Sequence, residues 1–586
     1  MKFLRNLLAT LTGLVIFTIL SFFIGIGIIS GLVASSEQEV IVKDNSVLLL
    51  DLNRQIVEKT AEEDPFSELM FPGVELPLGL IDIKEAIAQA KEDDKIKGIY
   101  LQSEMIIAGN ATLEEIRRSL ADFKESGKFV VSYGQYFSEG GYYLASIADE
   151  LFMHPETNME FNGLNFTTVF FAGALEKLDI EPVIFRVGEF KSAIEPFIRK
   201  DLSPENEEQI TELVNSMHAN ILANISAVRN KSIDELEVIA DSMLTYQASN
   251  ALKYGMVDQL AYHDEVMTSL KERIGIEQDD DLSMIKLSKY MKSYNIVSGS
   301  SNRIAVILAT GEITMGEGST DNVGAEKFMK AIKKAREDKN VKAVVLRINS
   351  PGGAALASDM IWRELKLTAE KKPLIASISD LAASGGYYIA APCDTIVADP
   401  MSVTGSIGVF SLLFNFQEFL DNNLGITTDG VQSGPTADIF SMVEPMSEYE
   451  KSILQNSANS VYDRFIEIIA EGRNMPEEQV KNLAGGRVYT GEIAKDIGLV
   501  DVLGGYEDAL AIAAEKAGIA EEGYKVRFYP QPKTFLEQFV ENYGGEVQTK
   551  LLKAEMGEYY PIYQRIEKLK SYQGIQARLP YEFKIK

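Results

Sequence analysis

Ser384 is the residue in this chain best placed to act as a nucleophile. It stands in Ala382-Ala383-Ser384-Gly385-Gly386-Tyr387-Tyr388, after an apolar run that reads as a strand and before one that reads as a helix. A serine there lies at a helix N-terminus, where unpaired N–H groups and the positive end of the peptide dipoles favour developing negative charge. The Gly385 amide is then one oxyanion donor. A second glycine turn, Asn349-Ser350-Pro351-Gly352-Gly353, follows the neighbouring predicted strand, and Gly353 can supply the other donor because glycine lets backbone approach a ligand closely. This is the apparatus of acyl transfer.

A serine needs a base. The three histidines, His154, His218 and His263, are scattered, and no G-x-S-x-G elbow occurs, so a Ser-His-Asp triad fits poorly. A lysine can serve if burial lowers its pKa from ~10.4 to about 7 or 8. Lys191 is the candidate, in the apolar setting Val187-Gly188-Glu189-Phe190-Lys191-Ser192-Ala193-Ile194-Glu195-Pro196-Phe197.

The case for both residues comes from a duplication. Residues 137–155 lie over residues 382–400 at an offset of 245, so that Gly140-Gly141-Tyr142-Tyr143 falls on Gly385-Gly386-Tyr387-Tyr388 and Glu139 falls on Ser384. At the same offset the glycine turn becomes Glu104-Met105-Ile106-Ile107-Ala108. Conversely, the second copy has no lysine where the first has Lys191; it reads Val431-Gln432-Ser433-Gly434-Pro435-Thr436-Ala437-Asp438. Serine is lost from one copy and lysine from the other, as expected if the copies share one site.

The elements that must position these residues alternate between strand and helix patterns, which argues a parallel sheet with crossover helices in each copy. In the first copy the pattern predicts strands at 47–50, 98–101 and 129–133, with helices at 80–92 and 112–126. The second repeats it with strands at 304–308, 343–348 and 374–379 and helices at 325–335 and 356–370. Long helical regions follow at 204–228 and 447–471. The polar, glycine- and serine-rich stretch 293–302 reads as the boundary. The expected division is a cytoplasmic tip and anchor over 1–36, a first domain over 45–290 and a second over 303–586. The last carries an extension from about residue 518, whose stretch 548–571 reads as amphipathic helix.

Between Arg5 and Glu37 the chain has no charge. Its apolar run from Leu7 to Val33, about 27 residues, would extend roughly 40 Å as a helix, enough to cross a bilayer with tilt. The run is longer than a signal-peptide core of about 7 to 15 residues, so it reads as an uncleaved anchor with its basic leading end in the cytoplasm and the rest outside. A net charge of −29 argues against nucleic acid as partner. One cysteine, Cys393, and no metal-ligand spacing leave neither an intramolecular disulfide nor an expected metal or cofactor.

The motifs Ser350-Pro351-Gly352-Gly353, Ser384-Gly385-Gly386-Tyr387-Tyr388 and Thr404-Gly405-Ser406-Ile407-Gly408-Val409, with the lysine segment in the preceding half and an anchor before it, closely resemble signal peptide peptidase A in its long tandem form. The resemblance covers nearly the whole chain after the anchor. It implies two tandem Clp protease/crotonase-like α/β domains and a membrane-bound serine protease whose Ser-Lys dyad is split between them, with Ser384 as nucleophile and Lys191 as general base. It also implies that Ser406, which has Phe161 as its counterpart, orients the lysine. Hydrophobic peptides such as remnant signal peptides are the implied substrates, and the implied assembly is a homo-oligomer, expected as a tetramer, against the lipid bilayer. Two other readings stay open on the residues alone: a membrane scaffold with a vestigial site, and acyl-CoA chemistry on the same oxyanion hole.

Overall fold

The structure, a computed structural model, describes residues 40–60, 76–294, 300–319, 322–520, 523–530 and 574–579, with scattered positions from 5 to 27. Each copy builds a sheet of the same strand order. In the first, six parallel strands run Gln259–Leu260, Glu150–Met153, Phe129–Gly134, Ile96–Gln102, Ser46–Asp51, Met284–Lys286. In the second the equivalent path is Val502–Leu503, Thr395–Ala398, Leu374–Ala383, Val341–Ser350, Arg303–Thr310, Lys525–Tyr529, again parallel.

These strands are near-continuous apolar runs because helices cover both faces, as parallel sheets require; Ile304, Val306 and Ile307 are fully buried, as are Val344 to Leu346. Helix Leu80–Glu92 buries Leu80, Ile83, Ala86, Ile87 and Ala90, the i, i+3, i+4, i+7 stripe of an amphipathic helix. Helix Ala325–Glu337 does the same in the second copy through Ala325, Phe328, Ala331, Ile332 and Ala335. The alternation read from the sequence is present in both copies, with strand ends shifted by a few residues, most at Leu374–Ala383, which runs on to the residue before Ser384.

The third sheet was not anticipated, and it joins the copies. Its order is Asn322–Gly324, Glu312–Thr314, Gly352–Ala354, Gln576–Arg578, Val409–Asn415, Glu181–Val187. Glu181–Val187 of the first copy pairs antiparallel with Val409–Asn415 of the second over seven residues, Val187 opposite Val409. The stretch expected as a simple glycine turn is a break at Pro351 followed by a short strand. A Cβ on Gly353 would lie 1.9 Å from the Ile313 carbonyl oxygen, so only glycine allows this approach.

Buried charge also spans the copies. Arg347, with no exposed surface, donates Nε to Glu58 at 2.8 Å and Nη2 to Glu115 at 2.7 Å. Asp380 accepts from the Thr112 amide at 2.9 Å and hydroxyl at 2.7 Å, and Arg118 pairs with buried Asp399 at 2.7 Å. Burial pushes Glu115 toward protonation, but Arg347 and Lys84 outweigh it and hold its carboxyl below the usual range.

Among the described residues no helix is long and apolar enough to cross a membrane. The predicted anchor, Leu7 to Val33, falls partly outside them; within it residues 10–18 are helical, with Leu11, Leu14, Val15, Ile16 and Phe17 exposed. The helix expected over 548–571 lies outside the described residues.

Candidate active site

The strand Glu181–Val187 ends beside the second copy and the chain turns at once. Gly188 adopts φ +115 and Phe190 donates its amide to the Gly485 carbonyl at 2.8 Å. The next residue is Lys191. Its Nζ ends 2.8 Å from Ser384 Oγ, 2.9 Å from Ser406 Oγ and 3.0 Å from the Ser406 carbonyl oxygen. The lysine and the two serines that the sequence singled out, separated by 193 and 215 positions, thus share one buried point.

Lys191 is wholly buried, and desolvation alone drives its pKa well below that of a free lysine. Its polar neighbours are hydroxyls and a carbonyl; among the described residues it forms no ion pair. Removing the ammonium from water without a counter-charge favours the neutral amine, and a neutral amine can accept a proton from a hydroxyl at 2.8 Å.

Ser384 stands at φ 55, ψ −114, at the N-terminal edge of the short helix Gly385–Ala390. A non-glycine residue in that region costs about 1–3 kcal/mol, and the surroundings hold it there. The Ser384 amide donates to the Gly405 carbonyl at 2.8 Å and its carbonyl accepts from the Tyr388 amide at 2.8 Å. Ser406 is also at positive φ, 51, with its amide on the Arg487 carbonyl at 2.7 Å. The Gly352-Gly353 strand runs against Gly385: a Cβ on Gly352 would lie 2.6 Å from the Gly385 nitrogen, and Gly353 follows Gly352 directly along its strand.

Sequence reasoning missed the turn that presents the lysine. A Cβ on Gly486 would lie 2.5 Å from Lys191 N, 2.6 Å from its Cα and 2.7 Å from its Cβ, and Gly486 is at φ +87. A Cβ on Gly188 would meet the Gly485 carbonyl at 2.5 Å. The lysine loop therefore docks backbone to backbone on Gly485-Gly486. A signal was available: at the offset of 243 that lays Tyr254-Gly255-Met256-Val257-Asp258 over Ile497-Gly498-Leu499-Val500-Asp501, the matching stretch of the first copy reads Ser242-Met243, so this glycine pair, like Ser384, occurs in one copy only.

The corresponding place in the first copy is plugged. Glu139 is buried, its Oε2 accepting from the Asn162 amide at 3.0 Å and the Gly163 amide at 2.9 Å. Phe161, at the position matching Ser406, is fully buried against Tyr142 with ring centroids 5.6 Å apart.

A duplicated α/β protein with two serine hydroxyls beside one buried amine has an arrangement that can support acyl transfer without histidine. Comparison with known proteins narrows the class. Residues 122–277 and 366–520 match Peptidase family S49. The serine protease SPPA of Arabidopsis thaliana chloroplasts is 34% identical over 547 residues, covering 92% of this chain and 78% of its own length. Protease 4 of Salmonella typhi is 35% identical over 569 residues, covering 94% and 90%. The chain belongs to peptidase family S49, in the long tandem form of signal peptide peptidase A, and it is a serine protease.

Proposed function

We propose that the chain is a membrane-anchored endopeptidase that degrades cleaved signal peptides and other hydrophobic peptides at the outer face of the cytoplasmic membrane. Its two tandem Clp protease/crotonase-like domains share one Ser-Lys dyad. The observation that carries this reading is the buried Lys191 Nζ, 2.8 Å from Ser384 Oγ. Lys191 takes the Ser384 proton as Oγ attacks the peptide carbonyl, and the Gly385 and Gly353 amides receive the oxyanion. The lysine then passes the proton to the departing amine and activates the water that hydrolyses the acyl-enzyme. Ser406 holds the amine by its hydroxyl and carbonyl, leaving the lone pair toward Ser384.

An apolar substrate suits this chemistry, because bound hydrocarbon side chains keep water from a lysine whose neutrality depends on desolvation. The exposed apolar residues of 10–18 are consistent with a single anchor. Hydrolysis of a fluorogenic apolar peptide by detergent-solubilised protein tests the reading. Ser384→Ala and Lys191→Ala should each lose at least about a thousandfold in kcat. Full activity in either variant removes the dyad. Restored activity on mixing the two would place the working pair across subunits of an oligomer.

A further inference from the structure

The residues on either side of Lys191 are held by one buried side chain, Gln209, on the long helix Pro204–Arg229 of the first copy. Its Nε2 donates to the Phe190 carbonyl at 3.2 Å and to Ser192 Oγ at 3.0 Å. Its Oε1 accepts from the Val488 amide of the second copy at 3.2 Å.

Val488 lies on the backbone that fixes both serines. It stands opposite Gly405, whose carbonyl receives the Ser384 amide, and it follows Arg487, whose carbonyl receives the Ser406 amide. One primary amide therefore ties the lysine turn to the serine supports. Its orientation is dictated by its partners, because the Val488 N–H can only donate and the Phe190 carbonyl can only accept. Asn206, one turn back along the helix, fixes it further: Asn206 Oδ1 accepts from Gln209 Nε2 at 3.0 Å, while Asn206 Nδ2 donates to buried Glu195 Oε2 at 2.9 Å.

The duplication gives an independent reason to assign Gln209 a role. Ser203 and Ser447 cap the equivalent long helices, each accepting from the amide three residues on. Laying Ser203 over Ser447 places Gln209 on Ile453, which is 37% exposed, and Asn206 on Glu450. Glu450 turns back to the Ser447 amide in a capping box. The buried amide pair is thus confined to the copy that supplies the lysine. Burying an amide carries a desolvation cost that an apolar side chain of the same volume avoids, and in return it sets the geometry of the turn.

We propose that Gln209 is a positioning residue of the dyad, its amide seating the Lys191 turn against the second copy and so fixing the 2.8 Å separation of Nζ from Ser384 Oγ. The proposal rests on the Ser384–Lys191 reading of the site. Gln209 itself touches no reacting atom.

Hydrolysis of a fluorogenic apolar peptide by the detergent-solubilised full chain tests this, with the thermal midpoint taken on the same preparations. Gln209→Met keeps the volume and loses four hydrogen bonds. Its kcat should fall about tenfold or more, since small displacements of reacting groups are costly, while KM stays within about twofold. Ser216→Ala is the control, because Ser216 Oγ meets Thr490 Oγ1 at 3.1 Å and joins the same helix to the same strand away from the lysine turn. It should keep wild-type kcat. Gln209→Glu separates positioning from packing. A protonated carboxyl can donate to the Phe190 carbonyl and accept from Val488, whereas a carboxylate can only accept. The ratio of its kcat to that of the wild type should be highest at low pH and fall as the carboxyl ionises. The charged groups around it are Lys191, Glu195 beyond Asn206, and Arg487 with its partners Glu208 and Glu212; all are present in both proteins, so their own titration is shared in that ratio. A folded Gln209→Met enzyme within about threefold of wild-type kcat overturns the inference. So does an equal loss in Ser216→Ala, or a Gln209→Glu ratio that is flat with pH, and this last measurement decides alone if Gln209→Met does not fold. In each of these cases hydrolysis that still requires Ser384 and Lys191 leaves the proposed function standing; full activity in Ser384→Ala or Lys191→Ala removes both.

Discussion

Gly486→Ala changes no group that could touch a substrate, yet it should disable the enzyme. The added methyl would lie 2.5 Å from Lys191 N and 2.6 Å from its Cα. These are backbone atoms and cannot rotate away. Reaching the shortest ordinary contact of 3.4 Å requires a shift of about 0.9 Å. If the lysine loop takes up that shift, the Nζ–Oγ distance grows from 2.8 Å to about 3.7 Å, beyond hydrogen-bond range. A displacement of ~1 Å between reacting groups costs about a hundredfold in rate, or about 2.7 kcal/mol. Alanine at φ +87 adds a backbone penalty of about 1–2 kcal/mol to folding, too little to unfold a protein with two large cores. The assay is kcat on an apolar fluorogenic peptide beside the thermal midpoint of the same preparation. Gly275→Ala is the control, because Gly275 is at φ +73 with nothing within 4 Å of the added methyl. It should lose similar stability and keep full activity. A folded Gly486→Ala enzyme within about threefold of wild-type kcat would refute the argument that this turn positions Lys191.

Three further outcomes follow from the same contacts. Because the amine must be neutral to act as base and burial lowers its pKa, kcat/KM should rise with pH through a single ionisation well below that of free lysine, then level off; a rise centred near 10.4 would refute this. Desolvation of Lys191 opposes folding, since the unfolded chain binds a proton that the folded chain does not. Stability should therefore increase with pH between the lowered pKa and the free value by at most about 1.4 kcal/mol per pH unit; Lys191→Met, though inactive, should raise the thermal midpoint at neutral pH and abolish that increase. Glu58→Ala leaves Arg347 buried with one of its two carboxylates and should cost about 3–5 kcal/mol, largely recovered in the double variant with Arg347→Met; calorimetry showing equal loss in single and double variants would mean the cluster is not held by charge.

The sequence by itself determined the duplication, the alternation of strand and helix, and the two residues whose loss was reciprocal. Each is a local or self-referential signal. Helix Leu80–Glu92 is legible because its apolar stripe has the helical period, and Ser384 stands out because Glu139 occupies its place in the other copy. Hydrophobic periodicity describes which face of an element is buried, not what lies opposite. Only the tertiary structure decided that Glu181–Val187 pairs with Val409–Asn415, because two strands hundreds of residues apart carry no mark of their partner. The same holds for Gly485-Gly486, whose glycines read as an ordinary turn until the lysine backbone is found against them. It holds also for Gln576–Arg578, a short strand between two others whose backbone groups it satisfies. The buried cluster of Arg347, Glu58 and Glu115 looks like any scatter of charges along the chain. Chemistry was readable because it requires particular side chains, whereas the distances that make it work are set by backbone packing between the copies.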